Sequence, residues 1–63
     1  MKEEIYRHIR LDKVLRRKIA DSLGVEPESI YRYAIGKKPT LSKPIVMQLI
    51  ADYTGKTVEE LKS

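Results

Sequence analysis

The sequence predicts an all-α fold, a compact bundle of five short helices in a single domain spanning residues 1–63. Three observations carry that expectation. From Ile5 to Leu61, apolar residues recur at three- and four-residue spacing, and no strand-like alternation persists. Gly24, Gly36 and Gly55 each fall where one of these periodic segments stops. Residues suited to helix starts, namely Asp12, Pro27, Ser42 with Pro44, and Thr57, stand where the next segment begins.

The first helix is expected over residues 2–10, with Glu3 and Glu4 at its positive end and Ile5 and Ile9 as an apolar pair one turn apart. Asp12 is the expected cap of a second helix over 13–23, which turns Leu15, Ile19, Ala20 and Leu23 inward and Lys13, Arg16, Arg17 and Asp21 outward. Ala20, four places before Gly24, is small enough for a second helix to cross close by, and Gly24 permits a left-handed turn. Val25 and Ile30 then point into the shared core. This is the spacing of two short helices joined by a tight turn, an arrangement whose second helix commonly enters the DNA major groove.

Pro27 suits the first position of the third helix, where a missing N–H costs nothing, although Glu26 before it is a weak cap. Ile30, Tyr33 and Ala34 form the inner face, and Gly36 is the expected stop. Lys37-Lys38-Pro39-Thr40-Leu41 reads as a basic loop with Leu41 tucked inward. Ser42 is the expected cap of a fourth helix carrying Pro44 in its first turn and an apolar stripe of Ile45, Val46, Leu49, Ile50 and Tyr53. Thr57-Val58-Glu59-Glu60 has the form of a capping box, so a short fifth helix should return Val58 and Leu61 to the core.

At 63 residues the chain lies near the lower limit for an unaided core, and without cysteine neither a disulfide framework nor a cysteine-based zinc site supplements it. The longest apolar run, Pro44 to Met47, is far too short to span a bilayer, and the charged N-terminus lacks the apolar core of a signal sequence. A soluble, intracellular protein is expected. The net charge is +4, from 13 basic and 9 acidic side chains. Residues 1–25 carry seven Lys/Arg against four Asp/Glu and residues 26–43 four against two, whereas residues 44–63 carry two against three. The basic excess therefore surrounds the second and third helices, where a polyanionic partner would meet it.

These residues together resemble the lambda repressor and Cro type of helix-turn-helix domain, the Xre family. The resemblance runs from about Ile5 to Leu61. It rests first on Ile19-Ala20, Leu23-Gly24-Val25 and Ile30, followed by Gly36-Lys37-Lys38-Pro39. Its second part is Leu49-Ile50-Ala51 with Gly55 through Leu61, similar to the closing helices of such domains. The chain departs from the pattern at Glu26-Pro27-Glu28, where Ser or Thr followed by polar residues is usual, at Ile35, where a polar residue is usual, and in a longer loop before the fourth helix.

The resemblance implies a cytoplasmic transcription regulator of bacterial or phage origin, most simply a small repressor, that binds double-stranded DNA without a cofactor. With the third helix in the major groove, Glu28, Ser29, Tyr31 and Arg32 would face the bases, alongside Pro27. Arg32 suits guanine O6 and N7 or, alternatively, a phosphate or plain solvation; Glu28 suits cytosine N4 or, alternatively, the positive helix end; Tyr31 suits a thymine methyl, a phosphate or simple packing. Arg16, four before Ala20, takes the position that commonly holds a phosphate in the family, with Arg17, Lys37, Lys38 and Lys43 expected to assist. So small a reading surface implies a homodimer on a pseudo-palindromic site, formed in solution or on the DNA. Val58, Leu61 and an exposed Met47 are the candidate dimer contacts, with intramolecular core the favoured alternative for Val58 and Leu61.

No enzyme is expected: one histidine, His8, stands without a cysteine partner, and no phosphate-cradling glycine loop, metal-ligand cluster or nucleophile motif is present. The acidic start at Glu26 and Glu28 leaves a second reading, a protein-interaction module on the same fold such as an anti-repressor, an antitoxin-like binder or a regulatory partner. Structured RNA is a weaker third, since no platform of stacking aromatics is evident.

Overall fold

A computed structural model describes residues 1–62 as five short helices, α1 Glu3–Leu11, α2 Lys13–Leu23, α3 Pro27–Ile35, α4 Pro44–Thr54 and α5 Val58–Leu61, with one 3-10 turn, Pro39–Ser42, between α3 and α4. They enclose one core in which Ile9, Leu15, Ile19, Ile30, Leu41, Val46, Ile50 and Leu61 are completely buried. Helices α1, α2 and α3 pack against one another, α4 backs onto α2, and α5 closes over α4. The Lys2 N–H donates to the Leu61 carbonyl at 2.9 Å, so the two ends of the described chain meet.

Local chemistry sets each helix boundary. Asp12 ends α1 and caps α2, accepting the Leu15 N–H at 3.0 Å. At Thr57 both halves of the capping box are present: Thr57 Oγ1 accepts from the Glu60 N–H at 3.2 Å, and Glu60 accepts from the Thr57 N–H at 2.9 Å. Gly24 and Gly55 take left-handed conformations, φ +69° and +74°. In both cases the next N–H reaches back five residues, Val25 to Ala20 and Lys56 to Ala51, each at 3.0 Å.

Gly36 closes α3 as expected, though without a left-handed turn of its own. Gly36 is right-handed at φ −83°, and Lys37 is the residue in the left-handed region, at φ +50°. The same five-residue return is made one place later, from the Lys38 N–H to the Tyr33 carbonyl at 3.0 Å. A lysine in this conformation carries a steric cost that glycine would not. Here its ammonium pairs with Glu3 and lies 5.9 Å from the centre of the Tyr6 ring. These contacts tie the corner to α1.

Two further expectations are corrected on α4. Ser42 closes the 3-10 turn instead of capping the helix; Lys43 occupies the cap position and supplies no side-chain bond. Pro44 at the first position needs no N–H partner, which lowers the demand for a cap. The buried stripe is Val46, Met47, Ile50 and Ala51, rotated by about 100°, one residue, from the expected face. Ile45 is 58% exposed, while Met47 is 6% exposed and serves the core. Small Ala51 on the inner face permits close approach, and Tyr53 lies at the surface, where its hydroxyl bonds Asp12 at 2.9 Å. Tyr33, also expected inside, is half-buried against the core.

Candidate nucleic-acid interface

Ile30 and Ala34 are locked into the core, and this fixes the opposite side of α3 outward. Glu28, Tyr31 and Arg32 are exposed on that side, with Ser29 half-buried at its edge. The four residues expected to read bases therefore share one helix surface. Arg32 is held within it: Nη1 lies 3.5 Å from Glu28 Oε2, and Nη2 donates to Ser29 Oγ at 3.4 Å. Pro27 starts the helix and Glu28 lies in its first turn, where a carboxylate meets the positive end of the helix dipole.

Between α2 and α3 runs a groove of about 350 Å³ lined by Lys13, Arg16, Arg17, Pro27, Glu28 and Tyr31. Three cations against one carboxylate give it a positive character. Arg16 is committed within the protein, since its Nη1 donates to the Ile9 carbonyl at 3.0 Å and also to the Arg10 carbonyl. The guanidinium lies 5.5 Å from the centre of the Tyr31 ring. Arg16 thus caps the free carbonyls at the end of α1 and faces a ring of α3, while Arg17 is exposed beside it.

The three lysines distribute differently. Lys37 pairs with Glu3 on α1, so its charge is shared with a carboxylate. That contact, followed by nearby Arg10, holds the Glu3 carboxyl below the usual carboxylate range. Lys38 is exposed, with the end of its side chain close over Gly36, and Lys43 is exposed at the start of α4.

Sequence reasoning did not anticipate Lys13 as a lining residue, although its place at the first position of α2 put it beside Arg16 and Arg17. It also missed a cluster behind the groove. Asp12 Oδ2 accepts from Tyr53 Oη at 2.9 Å and lies 3.1 Å from His8 Nε2, while Oδ1 caps α2. The Leu15 N–H, then the Tyr53 hydroxyl and His8, hold the Asp12 carboxyl below its ordinary pKa, and Asp12 in turn raises that of the Tyr53 phenol. No local pattern signals a bond across 41 residues. A separate groove of about 610 Å³ lies between α2 and α4, lined by Lys18, Asp21, Ser22, Leu49, Asp52 and Tyr53, with two carboxylates against one cation.

No protein-family model, curated protein or solved structure matches this chain. Among the described residues, no helix is long and apolar enough to cross a membrane.

Proposed function

We propose that the protein is a sequence-specific double-stranded DNA-binding regulator of the helix-turn-helix class, with α2 and α3 as the motif and α3 in the major groove. One observation carries this reading: a left-handed corner at Gly24 is followed directly by a helix whose outer face bears Glu28, Tyr31 and Arg32 beside a groove lined by Lys13, Arg16 and Arg17. Exposed hydrogen-bonding side chains on one short helix suit base edges, and cations along the adjoining helix suit phosphates. Arg17, Lys13, Lys38 and Lys43 are the phosphate contacts; Arg16 and Lys37 contribute charge while held by internal partners.

Regulation from so small a surface requires two copies on a pseudo-palindromic site, with half-sites about 34 Å apart. Met47 and Leu61 are buried and Val58 is half-buried, so the dimer contact falls to the exposed apolar residues, of which Leu11, Val14, Ile35 and Ile45 stand out. A cytoplasmic repressor acting without a cofactor accords with this reading.

In vitro selection from a random duplex library, repeated at two salt concentrations, tests the proposal. A defined, repeated half-site should emerge. If about four phosphates are neutralised per protomer, log affinity should fall against log salt with a slope of roughly −3 to −4 for each protomer bound. Equal affinity for selected and random duplexes would rule out sequence-specific regulation.

The internal commitment of Arg16 and Lys37, together with exposed Glu26 and Glu28, favours a second reading in which the α3 face meets a basic partner protein, as in an antitoxin-like or anti-repressor module. On that reading no duplex is retained even at low salt.

A further inference from the structure

Glu28 and Arg32 form an ion pair on the outer face of α3, one helical turn apart, with 81% and 65% of their side chains exposed. Ser29 holds the second terminal nitrogen of the same guanidinium. Each terminal nitrogen carries a further hydrogen, so the arginine is oriented by its own helix and still has donors to spend outward. The carboxylate beside it is an acceptor with unused lone pairs. The helix surface therefore presents a donor fork and an acceptor side by side, 3.5 Å apart. Successive bases along a strand are separated by about 3.4 Å.

We propose that Glu28 and Arg32 act as one reading unit for a guanine and a cytosine lying in adjacent base pairs. Arg32 donates to guanine O6 and N7, and Glu28 accepts from the cytosine N4 amino group. The inference rests on α3 entering the major groove. It goes further in assigning the bases and in making the two residues interdependent. A carboxylate close to DNA is repelled by phosphates and, at a base edge, tolerates only a donor. At the Glu28 position thymine O4 and guanine O6 present acceptors and are rejected, while cytosine N4 compensates the cost. Without Arg32 alongside, Glu28 would lose the cation that offsets its charge; without Glu28, Arg32 would be free to reach a phosphate. Discrimination thus belongs to the pair, and the acidic start of α3 becomes its source.

The test is duplex selection with the full chain and with Glu28→Gln and Arg32→Ala, both exposed positions where circular dichroism should report an unchanged fold. The site selected by the unaltered chain should hold, in two adjacent base pairs, the guanine read by Arg32 and the cytosine read by Glu28. Glu28→Gln should move the preference at the cytosine position toward adenine, which a glutamine amide can bind through N6 and N7. Arg32→Ala should weaken binding to the selected site by roughly 5- to 150-fold relative to random duplex. Replacing the guanine by 7-deazaguanine, which lacks the N7 acceptor, should weaken the unaltered chain and leave Arg32→Ala unaffected. Equal losses on selected and random duplexes, or a selected site without the guanine–cytosine neighbours, would overturn the reading unit while leaving DNA binding intact. A folded, unaltered chain that retains no duplex at low salt would remove the DNA reading, and this assignment with it.

Discussion

Arg16 joins three helices through one guanidinium: from α2 it donates to the Ile9 carbonyl at the end of α1, at 3.0 Å, and faces the Tyr31 ring of α3 at 5.5 Å. A cation at a helix C-terminus meets the negative end of the dipole, and the carbonyls there have no partner within the helix. The position that the family resemblance gives to a phosphate is thus occupied by an internal strut. Any effect of Arg16 on DNA binding has to be separated from its effect on the fold.

Replacing Arg16 by Ala should destabilise the protein by about 1–3 kcal/mol, because hydrogen bonds from a charged donor are lost and two carbonyls are left short of a partner. Tyr31→Ala should cost about 0.5–1 kcal/mol if the cation–π contact is its main role. Urea unfolding followed by circular dichroism measures both. The double variant should cost less than the sum of the two; strict additivity would show that the ring and the guanidinium are uncoupled.

The glycines should divide by backbone conformation and not by position in a helix. Gly24→Ala and Gly55→Ala place a side chain at positive φ and should each cost about 1–2 kcal/mol, although nothing crowds the new methyl group. Gly36→Ala sits at an ordinary φ, and its Cβ would meet the movable end of Lys38 at 3.3 Å and the Arg32 carbonyl oxygen at an ordinary 3.6 Å. That change should be neutral or stabilise by up to about 1 kcal/mol through the unfolded state. Thermal unfolding of the three variants gives the comparison, and a loss at Gly36 equal to that at Gly24 would contradict it.

Acid should weaken the fold modestly through a few identifiable carboxylates at its surface. The Leu15 N–H, with Tyr53 and His8, lowers the Asp12 pKa; Lys37 lowers that of Glu3; the Thr57 N–H lowers that of Glu60. Each folded-state pKa lies below its unfolded value, so the folded state binds protons less readily. The stabilisation is complete above the unfolded value of roughly 4 and is lost as pH falls through the folded values. Asp12→Asn preserves a good helix cap but no longer titrates, so the acid limb of a stability–pH curve should flatten. Tyr53 behaves in the opposite sense: its raised pKa gives a contribution that is complete below the ordinary tyrosine value and disappears as pH rises through the higher one. Tyr53→Phe should abolish that alkaline limb.

Leu41, in the 3-10 turn, should matter as much as any helical core residue. It is fully buried, and truncation to Ala should cost about 2–5 kcal/mol. A domain of this length has a total stability of about 3–9 kcal/mol, so the variant should be substantially unfolded at physiological temperature. Leu11, 79% exposed, provides the control: Leu11→Ala should stay within about 0.5 kcal/mol of the parent in the same melting experiment.

The helices and the corner at Gly24 were legible in the sequence because their causes are local. Asp12, Thr57, Pro27 and Gly24 act on backbone groups within a few residues, and Ile30 and Ala34 fix which side of α3 faces outward. The rotation of α4 was not legible. Both Ile45 and Met47 fit an apolar stripe there, and which of them is buried depends on how α4 packs against α2, far away in sequence. Lys37 escaped for the same reason: local preference assigns the left-handed turn to Gly36, whereas Glu3 and Tyr6, far away in sequence, receive the lysine. Of the candidate site, the membership of the α3 face could be read in advance; the capture of Arg16 by α1 could not.

The bond between Lys2 and Leu61 makes the backbone nearly a ring. Two segments that already touch can be joined there by a short linker and the backbone opened elsewhere without rearranging its interior. The exposed Lys37–Lys38 turn is the natural place to open it, between the helix pair proposed to hold DNA and the half that backs it. Such a permuted chain would begin at the 3-10 turn and finish with α3, leaving the Gly24 corner and its outward face uncut. The order in which the helices are synthesised would then be separated from the way they pack, and the proposed reading surface would depend only on the latter.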